Sequence, residues 1–193
     1  MANTKHLNLV KKYVAGERGL RLENLDLSGA DLRGLNLSNA WLRDTNLVGA
    51  DLRNAKLVGA PMPGTNLSHA DLRGADLHGC IAAGAMFRFA RLDNANLRGA
   101  DFYGAILEDA ICCTADFSGA ELSLTKCARA DFSHADFSRA NLMGADFSAV
   151  VMTGAQLAGA HVGRVDFTKA IDLPPLTNPA ESARQRGRRR RRK

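Results

Sequence analysis

Aromatic side chains are scarce: they make up 6% of the 193 residues, with a single Trp and two Tyr. A conventional core of that size uses more large side chains, so an ordinary globular enzyme fold is disfavoured from the outset. No stretch approaches the roughly 18 consecutive apolar residues of a membrane span, and residues 1–16 lack the apolar block of a signal peptide. The chain is therefore expected to be soluble and cytoplasmic. The four Cys form no C-x-x-C, and none of the five His stands at metal-ligand spacing to a Cys or another His, which leaves zinc and thioredoxin-like redox chemistry without a basis. There is no G-x-x-x-x-G-K-[ST], so nucleotide binding is unsupported. No catalytic, cofactor-binding or metal-ligating residue is assigned.

Charge of one sign is absent from most of the chain as a net quantity. Residues 1–170 hold 18 basic and 18 acidic side chains, and the formal +6 comes from residues 171–193, with eight bases against Asp172 and Glu181. Within the body, residues 101–170 run slightly acidic, nine acids against five bases. The basic run is Arg184, Arg186, Arg188, Arg189, Arg190, Arg191, Arg192 and Lys193. Eight like charges in ten residues are expected to stay extended in water and to attract polyanions weakly and without sequence preference.

What the sequence does contain is a strict period of five, from near Leu20 to Phe167, without a register slip. Thirty positions from Leu22 to Phe167 share one phase: 17 are Leu and seven Phe, with Met62, Ala82, Cys112, Cys127, Met152 and Val162 as the rest. Two residues before each of these centre positions, 21 of 30 residues are Ala, and two residues after, Gly is commonest. Five matches neither the helical 3.6 nor the strand 2.0, so neither element can run on. The pattern resolves if each unit is a three-residue strand followed by a turn. Ala and Leu then point inward, the intervening Asp or Asn points outward, and Gly or Asn supplies positive φ at the corner. Successive turns must stack and share backbone hydrogen bonds, because one coil alone cannot bury its inward residues. The repeated outward Asp residues, such as Asp26, Asp31, Asp51, Asp71 and Asp76, are accordingly read as turn-bonding repeat positions rather than catalytic carboxylates.

The run A-[D/N]-[L/F]-x-x, seen in Ala30-Asp31-Leu32-Arg33-Gly34 and Ala70-Asp71-Leu72-Arg73-Gly74, resembles the pentapeptide-repeat proteins over about 150 of the 193 residues. The resemblance implies an all-β fold, a right-handed quadrilateral parallel β-helix with four repeats per coil. Residues 20–170 would form this β-helix, roughly 36 Å long at about 4.8 Å per coil. Residues 1–19 are expected to hold a short N-terminal capping helix, since Leu7, Val10, Tyr13 and Val14 fall at helical spacing within 5–16 and Gly16 stands near the stop. Residues 171–193 are expected to form a Pro-containing segment and a disordered Arg-rich tail. Leu173-Pro174-Pro175-Leu176 cannot continue a hydrogen-bonded ladder.

With four repeats per coil, residues twenty apart stack on one face. Trp41, Pro61 and Ile81 then form a column at a position that is elsewhere usually Asp or Asn. Pro63, Ala83 and Tyr103 follow beside it, and the neighbouring face contributes Met86, Phe89 and Ile106. Such an apolar patch marks a protein-interaction surface, although local packing or contact with the terminal segment would also account for it. Pro61 and Pro63 are expected to interrupt the ladder. Another face stacks Asp31, Asp51 and Asp71 beside Arg33, Arg53 and Arg73, an exposed charge ladder whose signs cancel.

A filled rod without a pocket points to binding of macromolecules: a non-enzymatic scaffold or regulator that presents its faces to a protein partner, with no cofactor and no small-molecule substrate. Within the resembled family, the quinolone-resistance proteins are similar to B-form DNA in width and negative charge, dimerise and occupy the DNA-binding saddle of a type II topoisomerase. The resemblance thus implies DNA gyrase protection as the alternative. The neutral body and the Arg run depart from that pattern. Leu9 to Arg18 is similar to the capping start of cyanobacterial regulators of the family. A homodimer is a further expectation, because the C-terminal end of the coil shows no helical cap, and so is weak contact of the tail with nucleic acid or an anionic surface.

Overall fold

The computed structural model describes Val10 and residues 20–175. From Arg21 onward the chain repeats one five-residue unit, and residue i pairs in parallel with residue i+20, from Arg21 with Trp41 to Val151 with Ile171. Four units therefore close one coil, and the coils stack into a four-sided parallel β-helix, as the resemblance implies. The outward columns define four faces: the first begins Arg21, Trp41; the second Asp26, Asn46; the third Asp31, Asp51; the fourth Asn36, Lys56.

The unit from Asn46 to Ala50 shows why this sequence adopts it. Each of its five backbone N–H groups has an acceptor, as a buried backbone demands. Asn46 donates to Leu25 O in the preceding coil at 2.8 Å, while Leu47 and Gly49 donate to Asn66 O and Ser68 O in the next at 2.8 and 2.9 Å. Ala50 closes the turn onto Leu47 O at 3.0 Å. The fifth, Val48, donates to the Asn46 side-chain Oδ1 at 3.2 Å. That last bond is the reason Asp and Asn recur at the outward position: no coil-to-coil acceptor exists for the first turn residue, and a short side-chain oxygen two residues earlier supplies one. The next residue, Gly49, has φ of 64°, and a hydrogen-bonded turn with positive φ at its third residue is type II. Glycine also spares space there. A Cβ on Gly74 would stand 2.6 Å from Asn54 Oδ1, because the Asn54 side chain leans over the coil above it.

Every centre residue from Leu22 to Phe167 is buried. Each large one contributes roughly 1.5–3 kcal/mol through the apolar area it removes from water. The core changes character along the axis. It is built of Leu in the first coils and of stacked rings from Phe87 onward, with Phe117 parallel to Phe137 at 5.1 Å and Phe132 to Phe147 at 5.3 Å. Where Thr replaces Ala inside, its hydroxyl donates to a backbone carbonyl: Thr45 to Leu22 O at 2.7 Å and Thr65 to Leu42 O at 2.6 Å. Among the described residues no buried side-chain polar atom lacks a partner.

Of the two prolines, Pro61 interrupts the ladder as expected and Pro63 does not. Pro61 removes the Trp41–Pro61 pairing, which among the described residues is the one gap in the i to i+20 register, although its carbonyl still accepts from Leu42 N at 2.8 Å. Pro63 interrupts nothing. It sits at the first turn residue, where the N–H would need an outward side-chain acceptor that Pro61 cannot offer, and its carbonyl accepts from Asp44 N at 3.1 Å. The ladder ends at Ile171, and Leu173 packs against the core. The capping helix expected over 5–16 lies outside the described residues except for Val10, which is helical and buried. The tail from Arg184 to Lys193 lies outside them as well.

Candidate interaction surface

The expected patch residues fall around the first and second faces. Trp41 is 44% exposed, with the Arg21 guanidinium 5.6 Å from its ring centroid, and Ile81, paired with half-buried Pro61, is 47% exposed. Tyr103 stands at the corner between the two faces, its N–H bonded to Asp101 Oδ1 at 2.9 Å. Met86 and Ile106 pair with each other on the second face, both half-buried. Phe89 occupies the far corner of the second face and stacks on His69 with ring centroids 4.9 Å apart. The first face, its corner and the second face thus form one continuous surface, with Phe89 at its edge.

Two further residues belong to it. Leu124 and Met143, 51% and 53% exposed, continue the corner beyond Tyr103. From Pro63 to Gly144 that corner carries Pro63, Gly64, Ala83, Gly84, Tyr103, Gly104, Ser123, Leu124, Met143 and Gly144, without a charged side chain. Leu124 was detectable as a Leu on the phase usually held by Gly or Asn. It and Phe89 have φ of 59° and 56°, a conformation costing an L-residue of this size about 1–2 kcal/mol. Two large apolar side chains are therefore held in strained turns while exposed to water.

The third face carries the expected charge ladder. Arg33 binds Asp31 at 2.7 Å and lies 3.5 Å from Asp51; Arg53 binds Asp51 at 2.6 Å and lies 3.7 Å from Asp71; Arg73 binds Asp71 at 2.6 Å. The next rung reverses the order, with Arg91 outward and Asp93 in the turn, 3.3 Å apart. The side-chain hydrogen bonds from Arg53 and Arg73 hold the Asp51 and Asp71 carboxyls below the ordinary carboxylate range. All four cysteines are free, and burial pushes the Cys80 and Cys127 thiols up to about 12 and Cys113 to about 11. Such thiols are poor nucleophiles at neutral pH. His69, His78, His134 and His161 are exposed on separate repeats, and among the described residues no group of His, Cys, Asp and Glu could hold a metal ion.

A filled, four-sided β-solenoid built from one five-residue unit and carrying an apolar surface on two faces defines a class of repeat protein. The chain belongs to the pentapeptide-repeat family: the family description "Pentapeptide repeats" matches in eight copies over residues 18–47, 45–81, 64–99, 95–126, 110–148 and 125–162. Among solved structures, a pentapeptide repeat protein from the Arabidopsis thaliana thylakoid lumen is 34% identical over 54% of this chain and 71% of its own, with a TM-score of 0.50. A trypsin-treated form of QnrB1, a plasmid-mediated fluoroquinolone resistance protein, is 22% identical over 88% of this chain and 97% of its own, with a TM-score of 0.42. HetL, involved in heterocyst differentiation regulation in the cyanobacterium Nostoc sp. strain PCC 7120, is 27% identical over 88% and 96%, with a TM-score of 0.26. No curated protein matches the chain. Among the described residues no helix is long and apolar enough to cross a membrane.

Proposed function

We propose that this protein is a non-enzymatic binding scaffold or regulator that grips a protein partner through the surface formed by Trp41, Pro61, Ile81, Tyr103, Met86, Phe89 and Ile106, extended by Leu124 and Met143. The observation that carries this reading is the strain at Phe89 and Leu124. Glycine at either turn would relieve the backbone and remove an exposed apolar group, so a large side chain kept there, about half exposed, is a feature that a partner surface would use. Free, unreactive thiols support a reducing, cytoplasmic setting. Replacing Trp41, Ile81 and Phe89 together by Asp, Asp and Ser tests the reading. The variant is expected to keep its circular dichroism spectrum and lose partner recovery in cross-linking pull-downs, and unchanged recovery would reduce the surface to local packing.

A second reading, binding to a type II topoisomerase and protection of DNA gyrase against quinolones, is favoured by the acid excess of residues 101–170, nine against five. Gyrase binding in vitro, with and without a quinolone, decides it. In either case the tail from Arg184 to Lys193 adds weak, nonspecific affinity for nucleic acid or an anionic surface, falling steeply as salt rises. Deletion of residues 181–193 is expected to abolish low-salt DNA binding, and retained binding would show that the tail has no such role.

A further inference from the structure

Down the first face the outward residues read Arg21, Trp41, Pro61, Ile81, Asp101 and Glu121. Over these six rungs the column runs from basic through apolar to acidic, and Asn141 and His161 continue it beyond Glu121. Because rungs stack at about 4.8 Å, Arg21 and Glu121 stand roughly 24 Å apart on a straight column. This order is self-complementary under a two-fold axis lying across the face, midway between the Pro61 and Ile81 rungs. The axis reverses the column, so that Arg21 meets Glu121 of a second copy, Trp41 meets Asp101 and Pro61 meets Ile81, each twice.

The flanking corners obey the same register. On one, Arg43 falls opposite Tyr103 and beside Asp101, a cation against a ring face and a carboxylate, while Pro63 meets Ala83. On the other, Arg98 meets Ser38 and Val58 meets His78. No like charges stand directly opposite each other, and Glu23, which faces Ser123 beside Glu121, lies 3.8 Å from Arg21 of its own chain. Moving the axis onto Pro61 sets Arg21 against Asp101 and Trp41 against Ile81 but leaves Arg43 facing Ala83, and moving it onto Ile81 sets Trp41 against Glu121 and Pro61 against Asp101, so the axis between the two rungs is the one that gives both Arg21 and Arg43 a partner across the face. Among the described residues the Arg21 side chain is 76% exposed, with Glu23 at 3.8 Å and the Trp41 ring centroid 5.6 Å from its guanidinium, while Ser123 N at 2.8 Å and Asn141 Nδ2 at 2.8 Å fix the Glu121 carboxylate on the face.

We infer that the first face is a self-association surface, on which two copies lie side by side and antiparallel. The inference rests on the same apolar surface as the proposed function and names a second copy as one of its occupants. A face about 24 Å by 10 Å with its corners is a few hundred Å² per copy, well under the ~800 Å² of a standard interface. The pairing is therefore reversible and concentration-dependent.

Sedimentation equilibrium of the full chain from about 10 μM to 1 mM at low salt tests it, with circular dichroism recorded for each variant. A monomer–dimer equilibrium is expected, lost in Ile81→Asp. Arg21→Glu and Glu121→Arg are each expected to weaken it about tenfold, since each reversal makes two contacts repulsive. The double reversal is expected to restore it to within about threefold. A variant that fails to fold is replaced by Arg21→Ala or Glu121→Gln, which are expected to weaken the dimer less than the reversals do. A wild-type chain that stays monomeric to 1 mM, single reversals without effect, or a double reversal weaker than either single would each overturn the inference. Partner recovery with the Trp41, Ile81 and Phe89 variant is read separately, so a monomeric chain overturns the pairing and leaves the proposed function standing.

Discussion

The Asp51 carboxylate accepts the Arg53 backbone N–H at 3.3 Å and the Arg53 guanidinium at 2.6 Å, and the same pair of bonds recurs at Asp71 with Arg73. One side chain thus completes the turn and anchors the charge ladder. Both carboxyls are held below their ordinary range by the guanidinium hydrogen bond. An unfolded Asp, near 3.9, binds protons more tightly than these do, so their stabilisation is complete above about pH 4 and is lost as the pH falls through the folded values. Thermal melts between pH 7 and pH 2 are expected to show the midpoint dropping below about pH 4, with a shallower drop when Asp51 and Asp71 are both changed to Asn. An acid limb of unchanged steepness would show that the ladder carries no linkage. Leu72, fully buried, responds oppositely to its outward neighbour. Leu72→Arg places an unpaired charge in a dry coil and is expected to abolish the cooperative melt, whereas Leu72→Ala is expected to cost about 2–5 kcal/mol and leave a folded chain.

Where the outward residue is Asp, Asn or Glu, the backbone accounting is that of the Asn46 unit: three N–H groups bond between coils, one closes the turn, and the outward side chain takes the fifth. Prolines 61 and 63 test this accounting. Pro61→Ala restores a donor opposite Ala40 O, and its amide is expected to exchange as slowly as that of Asp71, which donates to Ala50 O at 2.9 Å. Pro63→Ala adds an N–H without a side-chain acceptor at residue 61, and that amide is expected to exchange at least tenfold faster. Equal protection at both positions would contradict the assignment of the fifth donor to the outward side chain. The five-residue period, the inward Leu and Phe column and the Asp–Arg ladder were legible from the sequence because each depends on phase alone. Other features depend on which two residues share a height. The harmless Pro63 is explained by its turn position, whose N–H joins no coil-to-coil bond, together with Pro61 two residues before it, which offers no side-chain acceptor, and the reversal at Arg91 and Asp93 only by the ladder beneath. Leu124 and Met143 escaped notice because they occupy turn phases read as slots for Gly or for solvent-facing residues. Their place in the surface emerges once Tyr103 is seen at the same corner.

For the molecule as a whole, the repeat separates folding from recognition. Any insertion or deletion of five residues preserves the inward phase, but only multiples of twenty preserve the columns on which the outward residues stand. Deleting residues 126–145 removes one full coil, keeps every column in line and takes only Met143 from the apolar surface. Deleting residues 66–70 removes one side of one coil and carries Ile81, Tyr103 and Leu124 a quarter turn away from Trp41. Both shortened chains are expected to melt cooperatively with native circular dichroism. Cross-linking recovery of the protein partner from each, at matched concentration, reads whether the surface works as an aligned set. Recovery retained after the twenty-residue deletion and lost after the five-residue deletion is the result expected. Recovery that survives the five-residue deletion undiminished would contradict recognition by the face that joins Trp41 to Ile81.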